Sequence, residues 1–522
     1  MVSFTKIQSD IQQQIMLHTK TFFCLLLIGA SFNIKAQDSL KLFKTLTNQY
    51  NQERDFKNNF YYNPASISGY STSSFSEFSV GYQNNNENVY RQQLGNGSKG
   101  LMIKAQSFQK LKPNRFVWGS ASYQNLKIGS VKWNETLDYE RIAPYITSDS
   151  VGGKLNLERY QFAGGYLEKI NRWTVAGQIS YSAQMGYRSK DPRLESRTSD
   201  MRINAGVNYQ IFREYEVGVF GEFNKYTQNN SIQFQSLLGR PYVYLMSGLG
   251  FSNYLFNGGT RPANTFEEFA YKGGIQISNK QGKDFYLQAS MGKSSNIKSY
   301  NDSSNENHNT SDLKNEKIEL EGAKFFTINE KHRVGLSAGY ISSRKTGSEY
   351  GYSMNTAIMT QIFKREAYRR ENYTASVKGF YQYTQENFSI TAVPFFGYEE
   401  IKELRLYPNS GQKFTYSYFG LNADYKQQVN NNQVFTFQPY FYKRVVNQSI
   451  NALGTTSNAA VDEWVLQDYM FQASDITALG ASVRYDFKLD KLPAFFVSAQ
   501  YQTQKIQEKN NNFVGASIGI TF

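Results

Sequence analysis

The chain has 522 residues, a formal net charge of +14 and 16 % aromatic residues, with a mean hydropathy of −0.56. That length exceeds one ordinary soluble core, and past the first residues no apolar run is long enough for a membrane helix. Its charges are scattered among Asn, Gln and Tyr, which excludes the concentrated basic patch of a nucleic-acid binder.

Lys20 precedes TFFCLLLIGASF, and the stretch ends IKAQ at Ile34–Gln37. A positive residue, a short apolar core and a small residue in that order predict a signal peptide over 1–36, with Met16 as an alternative start. Cys24, the one cysteine, falls inside it, so the mature chain has no disulfide and no thiol chemistry. Removing Lys6, Lys20, Lys35 and Asp10 leaves +12. Residues 37–73 do not alternate. Leu42, Leu46 and Tyr50 recur at helical spacing with Phe43 beside them, which predicts a short amphipathic helix capped by Asp38 or Ser39. FYYNPASISGYS follows, from Phe60 to Ser71.

Over 74–522 apolar and polar residues alternate with period two, the mark of half-buried strands. Phe78, Val80 and Tyr82 share one face of Ser74–Gln83, and Leu101, Ile103 and Ala105 open the next strand. Tyr160, Phe162, Tyr166 and then Trp173, Val175, Ile179 flank the turn EKINR. The same hairpin grammar recurs through Met201–Phe223, Tyr271–Met291, Ile318–Tyr340, Tyr373–Tyr398, Phe419–Phe441 and Leu479–Tyr501. Short and long connections alternate, and aromatics cluster at strand ends as in an interfacial girdle. The fold class is therefore all-β: a transmembrane antiparallel up-and-down β-barrel of about 18 strands (range roughly 14–20), with a short N-terminal helical or hatch segment. Pro394 and Pro439 fall inside strands, and each predicts a bulge or a local break. By parity Arg202, Asn204, Asn208, Gln210, Thr174, Gln178, Ser180, Glu319, Glu321, Arg370, Lys378, Arg484, Asp486 and Lys488 face the lumen. A barrel of this size is wide enough for an aqueous channel, and an open and a plugged lumen both fit.

The last ten residues read FVGASIGITF, with Phe522, Ile520, Ile518, Ala516 and Val514 on one face. This terminal strand resembles the C-terminal signal of bacterial outer-membrane β-barrels, which implies recognition of Phe522, Ile520 and Ile518 by the barrel-assembly machinery and pairing with the first strand. The NPA at Asn63–Ala65 resembles the start of fatty-acid-transporter-like barrels, whose N-terminal segment folds into the barrel as a hatch. With Gln37 directly after the cut, residues 37–522 resemble Bacteroidota outer-membrane barrels, which implies contact with outer-membrane lipid and lipopolysaccharide.

No catalytic constellation stands out. His308 reads as part of an Asn/Ser-rich loop and His332 as part of the turn NEKH, too far apart for a metal site. We expect no enzyme activity, no metal and no cofactor. The connection Tyr226–Thr265 is unusual, because its middle, Ser236–Phe256, carries Leu237, Leu238, Tyr242, Tyr244, Leu245, Met246, Leu249 and Phe251. So apolar a segment must bury itself, as a gate, a ligand-facing element, a partner dock or a packed cap. Ala459–Phe471, with Val461, Trp464, Val465 and Tyr469, predicts an amphipathic helix above the barrel. Two functions fit: a passive or gated transporter for a small or amphipathic solute, and an accessory barrel serving a TonB-dependent receptor, a surface lipoprotein or a secretion complex.

Overall fold

The computed structural model describes residues 42–236, 240–253, 263–279, 282–301, 306–353, 359–489 and 492–522. The predicted signal peptide lies outside them. Strands are numbered along the chain: β1 (Phe75–Asn86), β2 (Gly97–Lys112), β3 (Arg115–Val131), β4 (Thr147–Asp149), β5 (Gly153–Ile170), β6 (Trp173–Tyr187), β7 (Arg193–Phe212), β8 (Tyr215–Gln233), β9 (Val243–Gly248), β10 (Phe251–Ser252), β11 (Ala263–Asn279), β12 (Phe285–Asn301), β13 (Asn307–Thr327), β14 (His332–Ser353), β15 (Thr360–Thr384), β16 (Phe388–Arg405), β17 (Ser410–Asn430), β18 (Gln433–Ala452), β19 (Ile476–Lys488), β20 (Ala494–Ile506) and β21 (Lys509–Thr521). All but β4, β9 and β10 form one 18-stranded antiparallel sheet. It closes where β21 pairs with β1, Val80 opposite Ile518, so no edge is left free.

Alternation decides which face points out. Ile518 is 62 % exposed and Ile275 58 %, an apolar outer surface that fits lipid and not water. Aromatics ring the short-turn end in cross-strand pairs: Trp173 with Tyr209, Tyr215 with Phe285, Phe388 with Tyr425 and Phe487 with Phe495. An Arg at Ile518 should therefore cost about 2–4 kcal/mol, while an Arg at Gln500, exposed on the lumen side, should cost far less. Urea titration of the folded barrel in bilayers measures both; equal costs would reverse the assigned faces.

Three details differ from the sequence reading. Short and long connections do not alternate strictly, since 188–192, 406–409 and 507–508 are short on the long-loop side. Strands run beyond the bilayer span into segments read as loop: β8 reaches Gln233, and β13 begins at Asn307 and takes in His308, which meets Tyr352 edge to face. His332 opens β14, its Nδ1 3.0 Å from the Tyr381 hydroxyl. The two prolines do break ladders as expected, without shifting register. β15 and β16 skip from Lys378↔Phe395 to Tyr381↔Ala392, and β17 and β18 from Asn422↔Tyr440 to Tyr425↔Phe437.

The N-terminal segment lies inside the barrel. Helix α1 (Leu42–Gln49) buries Leu42, Phe43 and Leu46 against Val434 and Ala494 of the inner wall. Helix α2 (Gln52–Phe56) starts at Asn51, whose side chain accepts from the Glu53 amide at 3.0 Å. Two 3-10 helices follow, Asn58–Tyr62 and Pro64–Gly69. Phe56, Phe60, Tyr61, Ala65 and Ile67 then pack into an apolar core with inward residues from many strands, among them Phe108, Phe116, Leu167, Tyr286, Phe325 and Phe380. This is a plug at the short-turn end. Asn63 locks it. Its Oδ1 accepts from the Ala65 amide at 3.0 Å, and its Nδ2 donates to Asn208 at 2.8 Å and Gln276 at 3.0 Å.

The opposite end is covered by a cap built from three connections. β4, β9 and β10 form a small separate sheet. Helix α3 (Tyr139–Ile142) and helix α4 (Ala459–Gln472), the latter capped by Asn458, complete it. Trp133, Ile142, Ile146, Met246, Val461 and Trp464 make its core against Tyr226 and Phe266 of the wall. Trp133 and Trp464 stack with centroids 5.1 Å apart and planes 10° apart.

Candidate functional site

Between plug and cap lies a cavity of about 1300 Å³. Asn59 and Tyr62 of the plug floor it, and Asp138, Tyr139, Glu140 and Arg141 of the cap roof it. Alternation of β2, β5, β7, β8, β11, β13 and β15 supplies the wall, which carries Lys104, Arg159, Arg202, Lys272, Lys317 and Lys378 beside Asp200, Glu222, Glu268, Glu319 and Glu321. Charges of both signs around one chamber fit polar or zwitterionic cargo better than an apolar one.

Much of that charge is used to hold the two ends shut. Arg141, on α3, reaches down to Asp200 at 3.0 Å and Glu268 at 2.8 Å, and its guanidinium lies 3.9 Å over the Tyr226 ring. From below, the Tyr62 hydroxyl donates to Glu222 at 2.6 Å, Asn59 donates to Glu321, and Lys272 sits 3.9 Å over the Tyr62 ring while pairing with Glu319. Further cations on the wall grip cap carbonyls: Lys298 on Ile146 at 3.0 Å, Lys345 on Glu140 at 2.7 Å, Arg405 on Ser247 at 2.6 Å and Arg444 on Ser474 at 2.8 Å. Each is a bond to backbone, charge-assisted for Arg405 and Arg444, and cap and plug are each tied to the wall.

Within the cap, Arg188, Glu135 and Asp149 form a cluster with no solvent exposure. Arg188 donates to Asp149 at 3.0 Å and to the Asn134 carbonyl at 3.0 Å, and contacts Glu135. Burial pushes the Glu135 carboxyl well above the usual range. Burial also acts upward on Asp149, but hydrogen bonding from Glu135, the Arg188 charge and the Gly152 amide outweigh it and hold it below its ordinary value. The cluster thus sets one cation between two carboxyl groups whose proton affinities are pushed in opposite directions.

Of the apolar connection, Met246 lies in the cap core, and Leu245 packs with Tyr350 and Tyr352. The Tyr244 hydroxyl accepts from Asn458 at 2.7 Å. Tyr242 is exposed, Leu249 turns the chain at φ 49°, and Phe251 lies 5.5 Å under the Arg405 guanidinium. Leu237 and Leu238 lie outside the described residues. Among the residues expected in the lumen, Arg202, Ser180, Glu319, Glu321 and Lys378 line the chamber. Gln178 and Asn204 line an adjoining recess of about 420 Å³. Thr174, Asn208 and Gln210 line another of about 360 Å³ near the short turns, whereas Arg484 and Asp486 serve the plug, the former 4.5 Å over Tyr50. The 132–152 segment was missed as a cap element, although Trp133, Ile142, Tyr145 and Ile146 meet the same test that singled out 236–256.

No curated protein matches the sequence. Among solved structures, a mutant of the ferric enterobactin receptor PfeA from Pseudomonas aeruginosa is 10 % identical with a TM-score of 0.37, over 86 % of this chain and 80 % of that one. BauA, the ferric preacinetobactin receptor from Acinetobacter baumannii, is 8 % identical with a TM-score of 0.40, over 86 % and 80 %. The outer membrane transporter YddB from Escherichia coli is 8 % identical with a TM-score of 0.40, over 85 % and 81 %. A family model covers residues 64–522, from the Pro64 that follows the buried Asn63 to the strand that closes the barrel, and the chain accordingly belongs to the family of unknown function DUF6850.

Proposed function

We propose that this protein is an outer-membrane barrel that acts as a gated transporter of a small polar solute. The observation that carries the reading is the chamber of about 1300 Å³ held between two independently tethered closures. A barrel serving only as a scaffold has no need of a charged space between plug and cap. Export by the 1–36 signal, insertion through the Phe522, Ile520 and Ile518 strand, and kinship with Bacteroidota barrels belong to the same proposal. The NPA-bearing segment sits in the lumen, where a fatty-acid-transporter-like hatch would sit. The packing of Leu245 and Met246 inside the cap supports a gate over an exposed amphipathic ligand site. Planar-bilayer recording of the full chain should show a mostly closed barrel with transient openings. Silence both in the full chain and in a chain lacking residues 42–69 would overturn transport.

A second reading, an accessory barrel for a TonB-dependent receptor or a surface lipoprotein, is favoured by the apolar ridge Ile362, Phe363 and Tyr407 on the cap-side rim, 63 %, 43 % and 56 % exposed. Co-purification of a stoichiometric partner, lost on Ile362→Asp, would support it.

A further inference from the structure

The wall opposite in character to the charged chamber runs over β16–β21 and β1. At mid-height it presents the uncharged inward residues Phe395, Tyr418, Gly420, Asn422, Tyr440, Tyr442, Gly480, Ser482, Gln500, Gln502, Gly515, Ser517 and Gly81, while Arg444, paired across the ladder with Tyr418, is bound to cap carbonyls. The height is fixed by neighbours on the same strands. Below, Val393 packs on the plug core, and Asp424 receives Gln52 of the plug at 3.5 Å. Above, the Tyr416 hydroxyl donates to the Gln472 carbonyl of the cap helix, and Arg444 also meets cap carbonyls. The rings between touch neither closure's core and are half-exposed.

Three of these rings make a shelf. Phe395 pairs across the ladder with Gly420, and Gly397 with Tyr418. A Cβ on either glycine would collide with the ring opposite, so each ring lies flat along the wall and shows a face to the lumen. Tyr442, opposite Gly420 on the other side, lies 6.4 Å and 27° from Phe395 and is tilted by 35° from Tyr418 at 6.3 Å. Chamber residues Ser376 and Lys378 are the direct cross-strand neighbours of Gly397 and Phe395. The shelf therefore opens onto the chamber.

We propose that the shelf binds a neutral oligosaccharide. A pyranose ring offers a flat C–H face to an aromatic face and a rim of hydroxyls to amides and hydroxyls. Here three flat rings stand beside Asn422, Gln438, Ser482, Gln500 and Gln502, and the Ser482 hydroxyl already donates to Gln438 at 2.9 Å. A purely apolar cargo would leave the amides of Asn422, Gln500 and Gln502 desolvated and unpaired, and the cations next to the rings face elsewhere: Arg444, opposite Tyr418, donates to cap carbonyls, and Lys378, opposite Phe395, lines the chamber. The glycines that seat the rings keep the shelf flat over three strands, enough for consecutive sugar units. The inference deepens the transport reading and rests on it only for the direction in which the sugar moves.

The test is isothermal titration of the full chain in detergent with maltotriose, cellotriose and chitotriose, against triglycine and adenosine. At least one trisaccharide should bind tighter than both controls. Tyr418→Ala and Tyr442→Ala should each weaken it about tenfold, whereas Tyr442→Phe, which keeps the ring, should hardly change it. A shift of the unboiled band on gels shows that each variant barrel is folded. Absence of trisaccharide binding, tighter binding of adenosine, or affinity indifferent to both alanine variants overturns the proposal. Trisaccharide binding in a barrel that never conducts would leave the shelf standing and defeat transport instead.

Discussion

Replacing Arg188 by Met should unlatch the cap while leaving the barrel intact. The substitution keeps most of the side-chain volume and removes the only cation in a cluster that has no solvent exposure. Asp149 would then remain an anion among Glu135, the Asn134 carbonyl and its own turn amides, Val151 at 2.8 Å and Gly152 at 2.7 Å. Breaking a buried pair by removing one partner costs about 3–5 kcal/mol, more than a cap of three short connections can lose and stay closed. The expected result is rapid nicking of 132–152 by an added protease on intact cells, with the barrel still heat-modifiable on gels. Unchanged protease resistance would mean that the cluster does not hold the cap. Its pH dependence has two edges. Glu135 is raised, so the stability it lends is complete below the ordinary carboxylate range and is lost as pH climbs through its folded value. Asp149 is lowered, so its contribution is present above the ordinary range and disappears as acid titrates it in the folded cap. Protease sensitivity of the unmodified protein should therefore be least between those limits and rise on both sides.

How much of this was legible without coordinates depends on the range of the signal. Alternation is local, so the number of barrel strands and the inward placement of Arg202, Glu319 and Lys378 could be read from period two, while closure by the terminal strand came from its resemblance to outer-membrane barrels. The two prolines announced their ladder breaks for the same reason, since a missing N–H is a property of one residue. The plug was not settled by such reasoning. Its signal is a violation of parity logic: Phe108, Phe116, Leu167, Tyr286, Phe325 and Phe380 are apolar at positions that an open lumen would keep polar, and all lie near the short turns. Apolar side chains on both faces of a strand end require something apolar inside the barrel. The cap was half legible. Composition flagged 236–256 and 459–471, but the core around Met246 joins 132–152, α4 and the wall strands β8 and β11, a convergence over more than a hundred residues that no local pattern carries. The aromatic shelf needed register, because only the pairings of Phe395 with Gly420 and Tyr418 with Gly397 show that the rings lie flat.

Gly206→Leu should expel the plug and convert the closed barrel into an open pore. Gly206 faces the lumen on β7, and a Cβ there would collide with Asn63 Oδ1 and come within 3.0 Å of Pro64 Cδ. Asn63 has no exposure and nowhere to retreat, because its amide is already bound to Asn208 and Gln276. Losing those two bonds costs about 0.5–1.5 kcal/mol each. Displacing Pro64 also undoes the cap of the 3-10 helix at Ala65 and pulls Ala65 and Ile67 from the aromatic core. The wall itself loses nothing, since β7 keeps its pairing with β6 and β8. Gly177→Ala is the matched control, a wall glycine whose added Cβ would meet nothing nearer than 3.9 Å. In planar bilayers Gly206→Leu should give a steady conductance that the unmodified protein and Gly177→Ala show only in brief openings. Asn63→Ala should fall between them, because it removes the same bonds without the clash. A Gly206→Leu barrel that stays closed would show that the plug's grip lies in its aromatic core and not in the buried asparagine that the NPA motif provides.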